Sequence, residues 1–359
     1  MLISGELVKN RIVVKKPRDV GRLYSKSRFG RLINKNKLHL DLVEGVFLVD
    51  QGKIRVFQDK KEISFQELVR VAVQQIPEFE IKYLVFKDLR NRGLLVKPVE
   101  DETKKRVSFY QFKQKKDKCK GYDTVNGVVV SVFSERGFFD IEQTEKLIKE
   151  EIERGNDLWF AIVDEEGDIT YYMVSMVDIK GGIASHVFPK CRGFLLKNRV
   201  VVFDEKASKM LFDKEFFGKP FGSGLQLSMV EALYLSHNGV LVVRTLNGEK
   251  VSNKKLKELI EKVQPDIKSR VIVYKDLKQR GLIVKTGFKF GTHFRVYKRK
   301  PGLTHAEYLV HVVDKRYRGV WAEISRAVRL AHSVNKEIVF ARVNDDERVE
   351  YIGLGRLRP

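Results

Sequence analysis

The chain has 359 residues, with 69 Lys and Arg against 47 Asp and Glu, a formal charge of +22. Its 43% hydrophobic content excludes a disordered chain, no apolar run approaches the ~18 residues of a membrane helix, and Cys119 and Cys191 are by themselves too few for a disulfide framework or a zinc site. The length suffices for more than one hydrophobic core, and the positive charge points to a polyanionic partner, most commonly nucleic acid.

The N-terminal stretch MLISGELVKNRIVVKK lacks the apolar core and cleavage site of a signal peptide, so a cytoplasmic protein with no membrane contact is expected. A β-rich opening leads to a helix whose start is marked by the capping box Ser64-Phe65-Gln66-Glu67 and whose end is marked by Pro77. A short helix closed by Gly93 follows, then the strand LLVKP and the alternating segment SFYQFK. An amphipathic helix over Ile141–Arg154 and the hairpin FAIVDEEGDITYYMV complete this half. Beyond the Gly-rich stretch GGIASHVFPKCRG (Gly181–Gly193), FGKPFGSG (Phe217–Gly224) reads as a turn before a helix near Leu225. It is not a phosphate-binding loop, because Pro220 follows Lys219. A helix capped by Ser252 runs to about Val263 before Pro265. A short helix to Gly281, the strand LIVKT and the alternating HFRVYK come next. A helix over Trp321–Val334 and the hairpin FARVNDDERVEYIGL close the chain.

The two halves repeat each other. VFKDLRNRGLLVK from Val85 returns as VYKDLKQRGLIVK from Val273, with nine of thirteen positions identical. VFLVDQGKIRV matches LYLSHNGVLVV upstream, and Phe160-Ala161-Ile162-Val163 matches Phe340-Ala341-Arg342-Val343 downstream. Matches in one order at offsets of 180–188 residues mean a duplicated domain pair, since a solenoid repeats every ~20–50 residues. The expected fold is mixed α/β in two tandem repeats, each with a small N-terminal α/β subdomain (1–80 and 188–268) and a nuclease-like subdomain (81–187 and 269–359) of mixed sheet with flanking helices.

Between Arg270 and Lys300 stand ten Lys or Arg and one acid, Asp276, interleaved with Tyr274, Phe288, Phe290, Phe294 and Tyr297. Cations neutralise phosphates and aromatic faces stack on unpaired bases, as in single-stranded or bulged RNA recognition. The motifs YKDLKQRG (274–281), VKTGFKFG (284–291), FRVY (294–297), HAEYLV (305–310) and RAVRLAHSVNK (326–336) resemble the archaeal tRNA-splicing endonucleases. That resemblance implies a Tyr, His and Lys catalytic set on Tyr297, His305 and Lys336, and a base-sandwiching arginine pair on Arg329 and Arg356, with Arg358 an alternative to the latter. It implies a precursor tRNA substrate with a bulge–helix–bulge, a homodimer, and an acidic docking loop at Asp164, Glu165, Glu166 and Asp168. No cofactor or metal is expected.

The chemistry suits these side chains. When a ribose 2′-OH attacks its own 3′-phosphate, a base must take the hydroxyl proton, an acid must protonate the leaving 5′-oxygen, and a cation must offset the phosphorane charge. Imidazole titrates near neutrality and a phosphate-rich site favours its protonated form, so His305 is the acid. Tyr297 is the base where cations such as Arg295 and Lys298 favour its phenolate, and Lys336 is the electrostatic group. The first repeat aligns Phe109 or Tyr110 with Tyr297, Asp117 with His305 and Asn156 with Lys336, and so reads as a non-catalytic copy. The competing reading is a structural RNA-binding protein without activity.

Overall fold

A computed structural model describes residues 2–33, 36–99, 106–112, 127–302 and 305–359. It is a mixed α/β molecule built from three main sheets. Each repeat opens on its own small sheet: six strands between Ile3 and Ile63, and five strands between Cys191 and Arg244. In both, the first strand pairs antiparallel with the second and parallel with the strand that follows a buried nine-residue helix.

That helix, Leu42–Asp50 or Met229–His237, escapes sequence periodicity. It is buried on nearly all sides, and a helix apolar all round carries no 3.6-residue stripe to distinguish it from a buried strand. Capping boxes of Asp41 with Glu44 and Ser228 with Glu231 define its start. The helix Glu205–Glu215 was not expected, and FGKPFGSG is a β-hairpin rather than a turn: Lys219–Phe221 pairs with Gly224–Leu227, and the helix expected near Leu225 begins at Met229. The Ser64 capping box starts Phe65–Gln75 as expected, while the Ser252-capped helix stops at Glu261, short of Val263. The helices ahead of Gly93 and Gly281 are longer than the "short" expectation, at thirteen residues each (Phe79–Asn91 and Ile267–Gln279).

The nuclease-like halves share one ten-stranded sheet. Its order is Ile283–Thr286, Phe294–Tyr297, Tyr308–Asp314, Glu337–Val343 and Val349–Leu357 from the second repeat. It continues through Ile169–Met176, Asp157–Val163, Val128–Ser134, Phe109–Phe112 and Leu95–Pro98 from the first. The seam is antiparallel, with Tyr171 opposite Leu357 and Val174 opposite Leu354. A second symmetric tie pairs Phe138–Asp140 with Arg318–Val320. The Ile141 N–H donates to the Tyr317 carbonyl, and the Trp321 N–H to that of Gly137, each at 3.1 Å. Each repeat thus helps start the other's helix, Ile141–Glu153 or Trp321–Ser333.

One apolar core lies within each repeat and a third lies between them. In the third, Trp321 is buried among Phe133, Phe139, Phe160 and Tyr172 at centroid separations of 5.2–6.3 Å. Aromatic pairs at such distances contribute about 0.5–1.5 kcal/mol each beyond area burial. Buried Arg342 of the second repeat adds an ionic tie to Glu145 of the first and to Glu350. The Gly-rich linker is extended: the Gly181 N–H donates to the Arg280 carbonyl and the Ile183 N–H to that of Gly281, both at 2.9 Å. A Cβ on Gly181 would meet the Gly281 oxygen at 2.2 Å, so glycine is required there.

Candidate active site

Three neighbouring strands of the large sheet set the site. Phe294–Tyr297 runs antiparallel to Tyr308–Asp314, which runs parallel to Glu337–Val343. The end of the first strand and the starts of the other two therefore share one edge. The Glu307 N–H donates to the Val296 carbonyl at 3.1 Å, and the Glu337 N–H to the Glu307 carbonyl at 3.0 Å. These bonds link the immediate neighbours of Tyr297 and Lys336 through a residue two beyond His305.

Tyr297 is mostly buried against Ile283 and Ala306, with Ile183 and Phe216 alongside. Of the two cations expected beside it, the Arg295 guanidinium lies 5.9 Å from its ring centroid, whereas the Lys298 amine lies 5.0 Å from the Tyr308 ring. His305 is exposed, three residues before its strand. Lys336 follows the helix Trp321–Ser333, whose end is turned by Asn335 at a left-handed φ of 53°. Its amine donates to the Val334 carbonyl at 3.1 Å and sits 5.7 Å from the Phe290 ring centroid.

Arg329 and Arg356 are both exposed. Arg356 stands opposite Tyr172 across the seam. Tyr172 is a residue of the first repeat that the sequence did not single out. It is wholly buried and its hydroxyl has no hydrogen-bond partner among the described residues. Burial raises its pKa, while the charges of Arg329 and Arg356 act to lower it, so both arginines lie within electrostatic reach of one phenol. The sequence signal for Tyr172 is the difference between Tyr171-Tyr172 in one hairpin and Tyr351-Ile352 in the other.

The repeats differ at the site. Ile283 faces Tyr297 where Leu95 faces Phe112, and Val296 faces Tyr308 where Gln111 faces Val128. The counterpart of Tyr297 is therefore Phe112, not Phe109 or Tyr110, because the intervening loops differ in length. Asn156 does occupy the Lys336 position, where it is buried, accepts from the Gly127 N–H at 3.0 Å and donates to Glu151 at 2.8 Å. Asp117 lies outside the described residues, as does Cys119. Cys191 is a buried free thiol whose pKa burial raises to about 11.

The acidic tip joins Asp157–Val163 to Ile169–Met176. Asp164 is committed to the turn: its carboxylate accepts from the N–H groups of Glu166 at 3.0 Å and Asp168 at 2.8 Å. Glu165 pairs with Arg136, and Glu165, Glu166 and Asp168 are exposed. The equivalent tip of the second repeat is internally neutralised, with Asp345 on Lys315, Asp346 on Arg348 and Glu347 on Lys268.

The basic, aromatic stretch does not form one continuous surface. Lys278 is buried on Glu215, Lys285 donates to the Phe216 carbonyl, Arg270 pairs with Asp266, and Arg280 with Asp276. Tyr274, Phe294 and Tyr297 are core residues, so Phe288 is the exposed aromatic of the five. No three His, Cys, Asp or Glu side chains gather as a metal-ligand set among the described residues, and no described helix is long and apolar enough to cross a membrane.

Comparison with known proteins matches the N-terminal domain of tRNA intron endonucleases at residues 3–69 and 191–257, and their catalytic C-terminal domain at 267–351. A tRNA-splicing endonuclease of Methanococcoides burtonii is 36% identical over 99% of this chain and 100% of its own. One of Methanosarcina mazei is 34% identical over 99% of both chains. One of Hyperthermus butylicus is 38% identical over 99% of its length but 47% of this chain, close to a single repeat. The chain belongs to the tRNA intron endonuclease family, with the N-terminal domain present in both repeats and the catalytic domain in the second.

Proposed function

We propose that the protein excises introns from precursor tRNA by cutting bulge–helix–bulge RNA without a metal ion, leaving 2′,3′-cyclic phosphate and 5′-OH ends. In this reading Tyr297 takes the 2′-OH proton, the oxygen attacks the adjacent phosphorus, His305 protonates the departing 5′-oxygen, and Lys336 offsets the charge of the phosphorane. Arg329 and Arg356 hold a bulged base by guanidinium stacking. The division at residues 80, 187 and 268 gives one catalytic and one architectural nuclease-like part per chain. A homodimer supplies the two sites that two bulges require, its acidic tip docking on the partner, and the enzyme works in the cytoplasm.

The observation that carries this reading is the meeting of the Tyr297, His305 and Lys336 segments at one sheet edge, in the repeat where the other has Phe112 and Asn156. A purely structural RNA binder gives no reason for that asymmetry. The test is incubation with bulged RNA in EDTA and analysis of the termini. Cleavage to cyclic phosphate is the expected result; RNA that is bound but stays intact sinks the proposal and favours the binder.

A further inference from the structure

Phe288 is 86% exposed, although burying a phenyl ring is ordinarily favourable by ~1.5–3 kcal/mol. It is not on a loose loop. The turn Phe288–Phe290 is closed by the Phe290 N–H on the Gly287 carbonyl at 2.8 Å and the Gly291 N–H on the Phe288 carbonyl at 3.1 Å. Buried Thr292 braces it from within, and a Cβ on Gly287 would meet the Thr292 hydroxyl at 2.4 Å and the Phe294 backbone at 2.9 Å. Phe290, two residues on, packs against the inter-repeat core and carries the Lys336 amine 5.7 Å from its ring centroid. A stiff turn therefore presents one ring to solvent next to a residue that touches the proposed catalytic lysine, with exposed Lys289 between them.

The duplication gives a control. The strands Val96-Lys97-Pro98 and Val284-Lys285-Thr286 correspond, and the loop that follows in the repeat without the proposed catalytic residues, 99–108, is three residues longer than 287–293 and holds no aromatic residue. Two rings and a lysine in one copy stand against a ringless loop in the other, whose three acids are matched by Lys104, Lys105 and Arg106. The rings and the lysine would attract bases and phosphate. A partner protein surface requires no such correlation with the proposed catalytic set.

We propose that Phe288 is a stacking platform for an unpaired base of the RNA substrate, with Lys289 on the neighbouring phosphate, positioning the strand at Lys336. This rests on the RNA-cleaving reading of the site. Base–aromatic stacking is strong enough for a single ring to matter to affinity.

The test uses the full chain and a bulge–helix–bulge RNA carrying 2-aminopurine in a bulge. Wild type is expected to quench the probe on binding. Phe288→Ala should lose the quench, bind about 10-fold more weakly and raise KM more than it lowers kcat, while Phe288→Trp restores both. An Ala variant with unchanged quench and affinity in a protein that cuts overturns the platform and leaves the cleavage reading standing. Weakened binding by the Ala variant of a protein that never cuts does the reverse. A shift of Phe288→Ala to monomers in sedimentation assigns the ring to a subunit contact and overturns the platform; a wild type that binds no RNA overturns both readings.

Discussion

At the scale of single residues, the structure separates four histidines that composition treats alike. His293 is half-buried, its Nδ1 accepts from the Val312 N–H at 2.9 Å, and its pKa is lowered to about 4 by burial first, then by His311 and Arg270. His311 lies against it, with ring centroids 4.6 Å apart and planes tilted by 44°, and its pKa is also pushed down by burial. A neutral pair of this kind cannot donate a proton to a leaving group near neutral pH. His332 lies in the last turn of its helix. His305 is exposed at the edge shared by Tyr297 and Lys336. His305→Ala is accordingly expected to bind bulged RNA as wild type does and to cut it ~10²–10⁴-fold more slowly in single-turnover assays. An unchanged rate removes His305 from the mechanism.

At the scale of elements, both repeats use one device to join the small sheet's helix to the large sheet. Glu44 accepts from the Gly30 N–H at 2.9 Å and the Asp41 N–H at 3.1 Å, and the Lys97 amine donates to the Gly30 carbonyl at 2.7 Å. Glu231 accepts from Gly218 and Ser228 at 2.8 Å, and Lys285 donates to Gly218. Ser228 stands where Asp41 stands in the first repeat. Burial, and to a lesser degree Asp41, pushes the Glu44 pKa to about 7, against the pull of the Gly30 N–H. A raised carboxyl pKa means that the folded state holds the proton more tightly than the unfolded state. The penalty is absent below the unfolded value near 4.5 and grows as pH rises toward 7, reaching at most about 3 kcal/mol. Urea midpoints of wild type should therefore fall relative to Glu44→Gln between pH 5 and pH 8. Parallel pH profiles for the two proteins would show that Glu44 is not the responsible group.

At the scale of the whole molecule, two diverged repeats form one sheet about a local twofold axis, yet only the second carries the Tyr, His and Lys set. The acidic tips diverge in the opposite sense: the second has Asp345, Asp346 and Glu347 each paired with a cation, while the first pairs Glu165 with Arg136 and presents Glu166 and Asp168 to solvent. Asp164 should be left intact in a test, because its carboxylate closes the turn. Replacing Glu165, Glu166 and Asp168 by lysine is expected to give folded monomers in sedimentation that no longer cut bulged RNA. Dimers of normal activity would exclude the tip as the docking element.

Local signals in the sequence sufficed for the duplication, for the Ser64 and Ser252 helix starts and for the glycines at 93 and 281, while the choice of Tyr297, His305 and Lys336 as candidates came from motifs that resemble those of a known family. Each depends on residues close in the chain, or on one stretch matching another. The buried helix Leu42–Asp50 was illegible because burial on all sides erases the periodicity by which a helix is read, and for its counterpart Met229–His237 only the preceding turn gave a signal, which set its start too early. The counterpart of Tyr297 could not be counted along the chain, since two loops of unequal length intervene and only the strand register points to Phe112. Tyr172 beside the arginine pair, the joining of ten strands into one sheet, and the sorting of a basic stretch into buried ion pairs and one exposed ring were decided by tertiary structure alone. Those outcomes depend on which distant surfaces exclude water together, a property of the packed molecule rather than of any local segment.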